Sequence, residues 1–165
     1  MKKFVTLFIV LSTPILVFTS FREQPQADYQ VPYPHEYRDW THVKSKVAGP
    51  SSIEFKVNGG LNHTYANEKA MQGYRSGKFP EGSILVFDVM LVREDSLTKA
   101  TVEWKRKRID VMVKDSIKYA LTGGWGYGQF KEDSEIGEVL SIDTKSRCFA
   151  CHTSQKDYVF SEYRK

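Results

Sequence analysis

Two long stretches of the chain carry the strongest concentration of branched and aromatic residues, and both are typical of β-strands. Residues 83–93 are rich in valine, isoleucine, leucine and phenylalanine, and residues 100–113 form a second extended stretch. A short polar connection, residues 94–99, separates them. Because neighbouring strands joined by a short link commonly pair, this pattern predicts an antiparallel hairpin.

Three shorter segments extend this sheet. Residues 53–57 alternate between apolar and polar positions, residues 61–65 follow after a glycine turn, and residues 123–130 alternate glycine with aromatic residues. Each pattern predicts a strand, and the glycines of the last one permit close backbone approach.

Helical spacing is confined to short segments. It predicts helices over residues 36–47 and 67–76 and a helical turn over 115–121. For the second helix, Asn67 is the expected N-cap and Gly77 is placed to end it. The predicted fold class is therefore α+β, mainly an antiparallel β sheet with a few short helices.

The N-terminus has the layout of a secretory signal peptide. Two lysines precede an apolar run over residues 4–18, and small polar residues follow. The run is shorter than the roughly 20 apolar residues of a membrane span, so cleavage is favoured over retention as an anchor. We expect an exported, periplasmic protein with a signal peptide over 1–20, an extended arm over 21–34 and one domain over 35–165.

The charge balance adds little to this picture. The chain carries a formal net charge of +4, and its sharpest basic cluster, residues 105–108, lies within a predicted strand. A charge run of this kind is typical of a solvated face, and export argues against a nucleic-acid partner. We therefore expect no nucleic-acid binding.

Candidate chemistry is concentrated near the C-terminus, where Cys148, Cys151 and His152 form the motif C-x-x-C-H from the only two cysteines in the chain. The motif is typical of c-type haem attachment, in which each thiol bonds one haem vinyl group and the imidazole becomes an axial iron ligand. A thioredoxin-like redox pair would open a helix in a βαβ unit, and a zinc site would need a fourth ligand. The sequence therefore predicts one covalently attached haem c with its iron bound by His152.

Several further segments, in chain order with this motif, carry a resemblance to a known family. They are Tyr37-Arg38-Asp39-Trp40, Gly77-Lys78-Phe79-Pro80-Glu81-Gly82-Ser83, Met112-Val113-Lys114-Asp115, Gly124-Trp125 and Asp157-Tyr158-Val159-Phe160. Together they resemble the cytochrome P460 family, which includes the beta-type cytochromes c′. The resemblance implies a mainly antiparallel β fold, a homodimer and a five-coordinate haem with an open distal side.

Phe87 is the first residue to which the resemblance gives a role. In the members that oxidise hydroxylamine, a lysine in the corresponding strand is bonded to the haem edge, and phenylalanine cannot form that bond. The beta-type cytochromes c′ instead place phenylalanine over the iron, so the resemblance implies that Phe87 is a distal cap. The alternative is an ordinary core residue, and Lys78 and Lys114 stay open as other lysines that could reach the haem. Strand alternation would turn Val86 and Asp88 away from the face of Phe87.

Asp110 is the second such residue. It stands close to the place of a distal carboxylate that is thought to move protons in the oxidising members. A proton relay is one interpretation, and a solvated ion pair with Arg108 or Arg106 is the other.

Protein side chains that could close the sixth coordination position are also present: His35, His42, His63, Met71, Met90 and Met112. Because the resemblance favours an open site, we expect none of them on the iron.

Three functions remain open. The first is binding of a small gaseous or nitrogen-oxide ligand such as nitric oxide, the second is oxidation of hydroxylamine or nitric oxide, and the third is simple electron transfer. Redox exchange with a partner cytochrome is compatible with all three. Phe87 favours the first, because an apolar cap admits small neutral ligands and discourages water and anions.

Overall fold

The computed structural model describes residues 30–138, 140 and 142–164, and within them it contains one antiparallel sheet. Its strands lie in chain order, each paired with the next. They are β1 (Thr41–Ala48), β2 (Gly60–Ala66), β3 (Ile84–Glu94), β4 (Thr101–Lys114) and β5 (Trp125–Lys131). The predicted signal peptide lies outside the described residues.

In the described part of the chain, three α-helices accompany the sheet: α1 (Phe55–Asn58), α2 (Glu68–Ser76) and α3 (Ile142–His152). Single 3-10 turns occur at Tyr37–Asp39, Ala120–Thr122 and Lys156–Tyr158. The α+β fold class, dominated by the antiparallel sheet, is confirmed. No helix among these residues is long and apolar enough to cross a lipid bilayer.

The two faces of the sheet bury different clusters. The front face carries Leu85, Trp125 and Tyr127, and side chains of α2 and α3 pack against it. The back face carries Val86, Ile109 and Phe130, among others, and is covered by the segment before β1 and the turn before β5. Because side chains alternate along a strand, the regular register assigns residues 84–89 of β3 and 108–113 of β4 each to one face; register shifts follow between Val89 and Met90 and between Leu91 and Val92.

The central hairpin and the helix over 67–76 are confirmed. β3 and β4 pair antiparallel along their length, and α2 begins and ends where Asn67 and Gly77 were expected to cap it. The Asn67 side chain accepts a hydrogen bond from the Ala70 amide at 2.9 Å, and Gly77 adopts φ 77°, which a residue with a Cβ rarely does.

Asn67 also joins α2 to the sheet. Its Oδ1 accepts a bond from the Ile84 amide at 3.0 Å, and its Nδ2 donates to the Gly82 carbonyl at 3.0 Å. We expect Asn67→Ala to lower the free energy of unfolding by about 2 kcal/mol, the upper range for an N-cap, because these additional bonds are also lost. Urea unfolding measures this. The control Gln72→Ala, at an exposed position of the same helix, should change it by less than about 0.5 kcal/mol.

The predicted helix over 36–47 is wrong. Among the residues described before β1, only a single 3-10 turn, Tyr37–Asp39, is present, and β1 itself pairs with β2. The helical spacing of Tyr37, Trp40 and Val43 was misleading because Tyr37 and Trp40 pack on the back face whereas Val43 packs on the front. Edge-strand pairing has overridden a weak local pattern.

The predicted strand over 53–57 is also wrong, since this part of the chain turns into α1. Its alternating apolar residues do not line a buried face: Ile53 is fully exposed, and Phe55 and Val57 are exposed as well. Alternation predicts a strand only where a neighbouring strand can pair with it, and here the segment is the connection between β1 and β2.

Candidate functional site

The last turns of α3 place both cysteines of the C-x-x-C-H motif at the front face. Cys148 is half-buried and packs against the front-face cluster, whereas Cys151 is exposed, and both are free thiols. Residues three apart lie on the same side of a helix, so both thiols can reach one ligand. Burial, followed by the charge of Asp110, raises the pKa of the Cys148 thiol.

His152 is held with one ring nitrogen free. Its Nδ1 lies 2.6 Å from the Tyr158 carbonyl oxygen. Because a carbonyl only accepts, Nδ1 carries the hydrogen, and the lone pair of Nε2 is left to bind a metal. Burial lowers the pKa of His152, which favours the neutral imidazole that metals require.

Aromatic rings fix the orientation of this imidazole. The Tyr127 and Phe160 rings lie 5.3 and 4.9 Å from it, centroid to centroid. The Tyr127 hydroxyl and the Trp125 indole nitrogen are buried and have no partner among the described residues. Buried polar groups are normally hydrogen-bonded, so these two orphans indicate that a group with polar atoms belongs beside the motif.

The donor set fits a haem better than a zinc ion. Within the described part of the chain, no three of the side chains His, Cys, Asp and Glu come together as a metal cluster. Two thiols and one neutral imidazole are one ligand short of a structural zinc site, but they are the complete set for a c-type haem.

Phe87 and Asp110 are cross-strand neighbours on β3 and β4, and their register places both on the front face. The Phe87 ring is half-buried, and the Lys46 ammonium lies 5.4 Å from its centroid. The structure therefore places the proposed cap and the proposed relay together, on the sheet face against which the haem motif packs.

Asp110 has firm partners of its own. Arg108 donates to it from Nε at 3.0 Å and forms an ion pair with it in which Nη2 lies 2.9 Å from Oδ2, and Gln129 donates from Nε2 at 2.7 Å. Burial and then the charge of Asp110 raise the pKa of the Cys148 thiol. Burial lowers the pKa of His152, and the bond to Tyr158 and the charge of Asp110 oppose that change. Of the two arginines considered from the sequence, Arg108 is the partner, and Arg106 binds Asp88 instead.

The candidate sixth ligands are divided between the two faces. His42 and His63 lie on the back face, where both hydrogen-bond Ser45, and His35 lies near Glu135. Met90 also belongs to the back face, 3.6 Å from Arg38. Met71 and Met112 pack at the front face within the apolar cluster.

Lys78 and Lys114, the other two lysines that could reach the haem, occupy different environments. Lys78 is exposed, whereas Lys114 lies at the front face, where it donates to Asp157 at 3.2 Å. Its ammonium lies 5.0 Å from the centre of the Trp125 ring. Lys114 is therefore engaged by protein groups close to the haem motif.

Sequence reasoning missed a buried carboxylate on the back face. Asp88 is fully buried and accepts bonds from Tyr37 at 2.6 Å, Arg38 at 2.9 Å and Arg106 at 3.1 Å. A signal was present, because an aspartate within the apolar run of β3 needs a partner when it is buried. The Tyr37-Arg38 pair supplies two of its partners from about fifty positions away.

Comparison with known proteins finds a family that matches most of the described chain. The family model described as Cytochrome P460 matches residues 34–161, which include the complete motif, Phe87 and Asp110. No curated protein matches the chain significantly.

Proposed function

Since the chain belongs to the cytochrome P460 family and is a haem-containing cytochrome, we propose that it is an exported mono-haem c-type cytochrome that binds small ligands such as nitric oxide. The observation that carries this proposal is the position of Phe87, on the front face and without an amine. We also propose that the protein exchanges electrons with a partner cytochrome and that two copies of the chain form a homodimer.

The chain's own residues account for attachment. Cys148 and Cys151 would hold the haem through one thioether each, formed by adding S–H across a vinyl double bond, which needs no external oxidant. Nε2 of His152 would hold the iron, and the Nδ1 bond to Tyr158 fixes the ring orientation. A single C-x-x-C-H motif in the sequence corresponds to one haem per chain. When bound, the haem supplies an iron atom that takes up diatomic ligands and exchanges electrons.

Phe87 sets the selectivity of the site. Its phenyl ring offers no hydrogen bond to water, to an anion or to bound dioxygen, so it disfavours ligands that depend on a distal donor. Nitric oxide forms a strong iron bond without such a donor and is less affected. The ring also cannot form the lysine bond that the family resemblance associates with hydroxylamine oxidation.

One observation favours oxidation of hydroxylamine or nitric oxide as a second candidate. Asp110 lies directly across from Phe87 and carries a carboxylate that can hold or move a proton. Its oxygens already accept bonds from Arg108 and Gln129, so protein donors hold this carboxylate in place and compete with a substrate for it. Ligand binding is therefore the better supported function.

Replacement of Phe87 tests the cap. In Phe87→Ala we expect nitric oxide to bind the ferrous protein faster, on the order of tenfold, which corresponds to about 1.4 kcal/mol of barrier. The reason is that the ring no longer blocks access, and water should also reach the ferric iron. Stopped-flow absorption measures the association rate.

Two companion variants separate the cap from general effects. Leu91→Ala removes an exposed apolar side chain from the same strand and should leave the rate unchanged. Phe87→Leu retains an apolar side chain and should fall between Phe87→Ala and the unaltered protein. Equal rates in Phe87→Ala and the unaltered protein would show that Phe87 is not the cap.

A further inference from the structure

The carboxylate of Asp157 connects three segments that are distant in sequence. Its Oδ1 accepts a bond from the Lys114 ammonium of β4 at 3.2 Å, and its Oδ2 accepts one from the Phe79 amide at 2.7 Å. Asp157 itself lies in the loop that follows α3. Both charged side chains are mostly buried, with 12% of Lys114 and 16% of Asp157 exposed, so this ion pair is shielded from solvent.

This loop carries the acceptor that orients His152. The residue after Asp157 is Tyr158, whose carbonyl oxygen lies 2.6 Å from Nδ1 of the histidine. The placement of that oxygen depends on the backbone of these two residues. A displacement of the loop would lengthen or misalign the only hydrogen bond that the structure gives to the His152 ring among the described residues.

The loop backbone does not hold this shape by its own preference. Asp157 and Tyr158 have φ values of 45° and 64°, in the left-handed region that residues with a Cβ avoid. Such a residue costs of order 1–2 kcal/mol, so surrounding contacts must maintain two of them in succession. Asp157 supplies one set of contacts through Lys114 and Phe79.

Packing of the Tyr158 ring supplies the other set. The ring lies against Gly123, where an added Cβ would come within 2.5 Å of it, and the Lys114 ammonium lies 5.9 Å from its centre. Lys114 also donates to the Gly123 carbonyl at 3.3 Å. The same lysine therefore binds the Asp157 carboxylate and the backbone against which Tyr158 packs.

We propose that Asp157, anchored by Lys114, is a positioning residue for His152 that maintains the Nδ1 bond to the Tyr158 carbonyl and so sets the strength of the iron–histidine bond. The proposal rests on the proposed function only in taking His152 as the iron ligand. A hydrogen bond from Nδ1 to a carbonyl raises the basicity of the imidazole. Weakening that bond makes Nε2 a poorer donor to the iron.

The test is the iron–histidine stretching band of the ferrous protein, recorded by resonance Raman spectroscopy without added ligand. We expect Asp157→Asn and Lys114→Met each to shift this band to lower frequency, because each removes the ion pair from one side. Asp157→Asn and Lys114→Met combined should shift it no further than the larger single change. Glu68→Gln, which removes the exposed ion pair with Arg75, is the matched control and should leave the band in place.

The outcomes distinguish this proposal from the function it builds on. If Asp157→Asn or Lys114→Met retains haem and its iron–histidine band stays at the frequency of the unaltered protein, the positioning role is overturned, and the proposed ligand binding is left intact. Absence of haem from the unaltered protein overturns the function as well. If neither Asp157→Asn nor Lys114→Met retains haem while the control Glu68→Gln does, the proposal is also contradicted, because the ion pair then stabilises the fold as a whole. If only one of the two variants retains haem, the frequency of its iron–histidine band decides whether the proposal holds.

Discussion

Replacing both Cys148 and Cys151 with serine is expected to abolish covalent haem attachment. Serine hydroxyls do not add to vinyl groups as thiols do, and these are the only cysteines in the chain. The purified double variant should carry no haem after denaturation in acid, whereas the unaltered chain should retain it. Mass spectrometry of the denatured chain and haem staining of a denaturing gel both measure this.

Single variants refine the same result. Cys148→Ser and Cys151→Ser should each hold the haem through the remaining thioether in a reduced fraction of molecules. Ser146→Ala, at an exposed position of α3, should retain it fully. Covalent haem in the double variant would contradict attachment through the motif.

Asp88→Ala is expected to lower the free energy of unfolding by about 3 kcal/mol. Removal of one partner from a buried ion pair costs roughly 3–5 kcal/mol because the remaining charge is left uncompensated. The lower end applies here because the Arg38 side chain is 41% exposed and can turn to solvent, whereas Arg106 is 15% exposed. Guanidinium unfolding of the variant and the unaltered protein gives the difference.

A second carboxylate that pairs with Arg106 provides a matched control. Asp133 also pairs with Arg106, but its side chain is 81% exposed. Asp133→Ala should therefore change the free energy of unfolding by less than about 1 kcal/mol, as for other surface ion pairs. Equal effects of the two variants would mean that burial of Asp88 does not govern the energetics of the back face.

Strong local patterns predicted much of the fold. The apolar runs of β3 and β4 were long enough to define a hairpin, and Asn67 with Gly77 defined both ends of α2. Weak patterns failed at residues 36–47 and 53–57, where only tertiary contacts decide. In the first, pairing with β2 determines the structure, and in the second no strand of the described part of the chain pairs with the segment.

The parts of the candidate site have different origins in the sequence. The C-x-x-C-H motif is a local feature that can be read directly, whereas the family resemblance gave Phe87 its role and alternation along β3 decided only that Val86 and Asp88 face the other way. The Tyr37 and Arg38 partners of Asp88 and both partners of Asp157 were not predictable, since these groups lie between about 40 and 80 positions away. Contacts of this range leave no periodic signal in the sequence. The segments Lys78-Phe79, Val113-Lys114 and Asp157-Tyr158 can each be recognised in the sequence, but only the structure shows that they contact one another.

Titration of the purified ferrous protein with nitric oxide measures whether the haem iron is open beneath Phe87. We expect a haem absorption spectrum without the anomalous ferrous band of a lysine-linked haem, converted to a nitrosyl spectrum by one equivalent of nitric oxide per chain, with little hydroxylamine turnover. A ferrous spectrum that nitric oxide leaves unchanged, or rapid hydroxylamine oxidation by a haem with that anomalous band, would show that the iron is not an open site capped by Phe87.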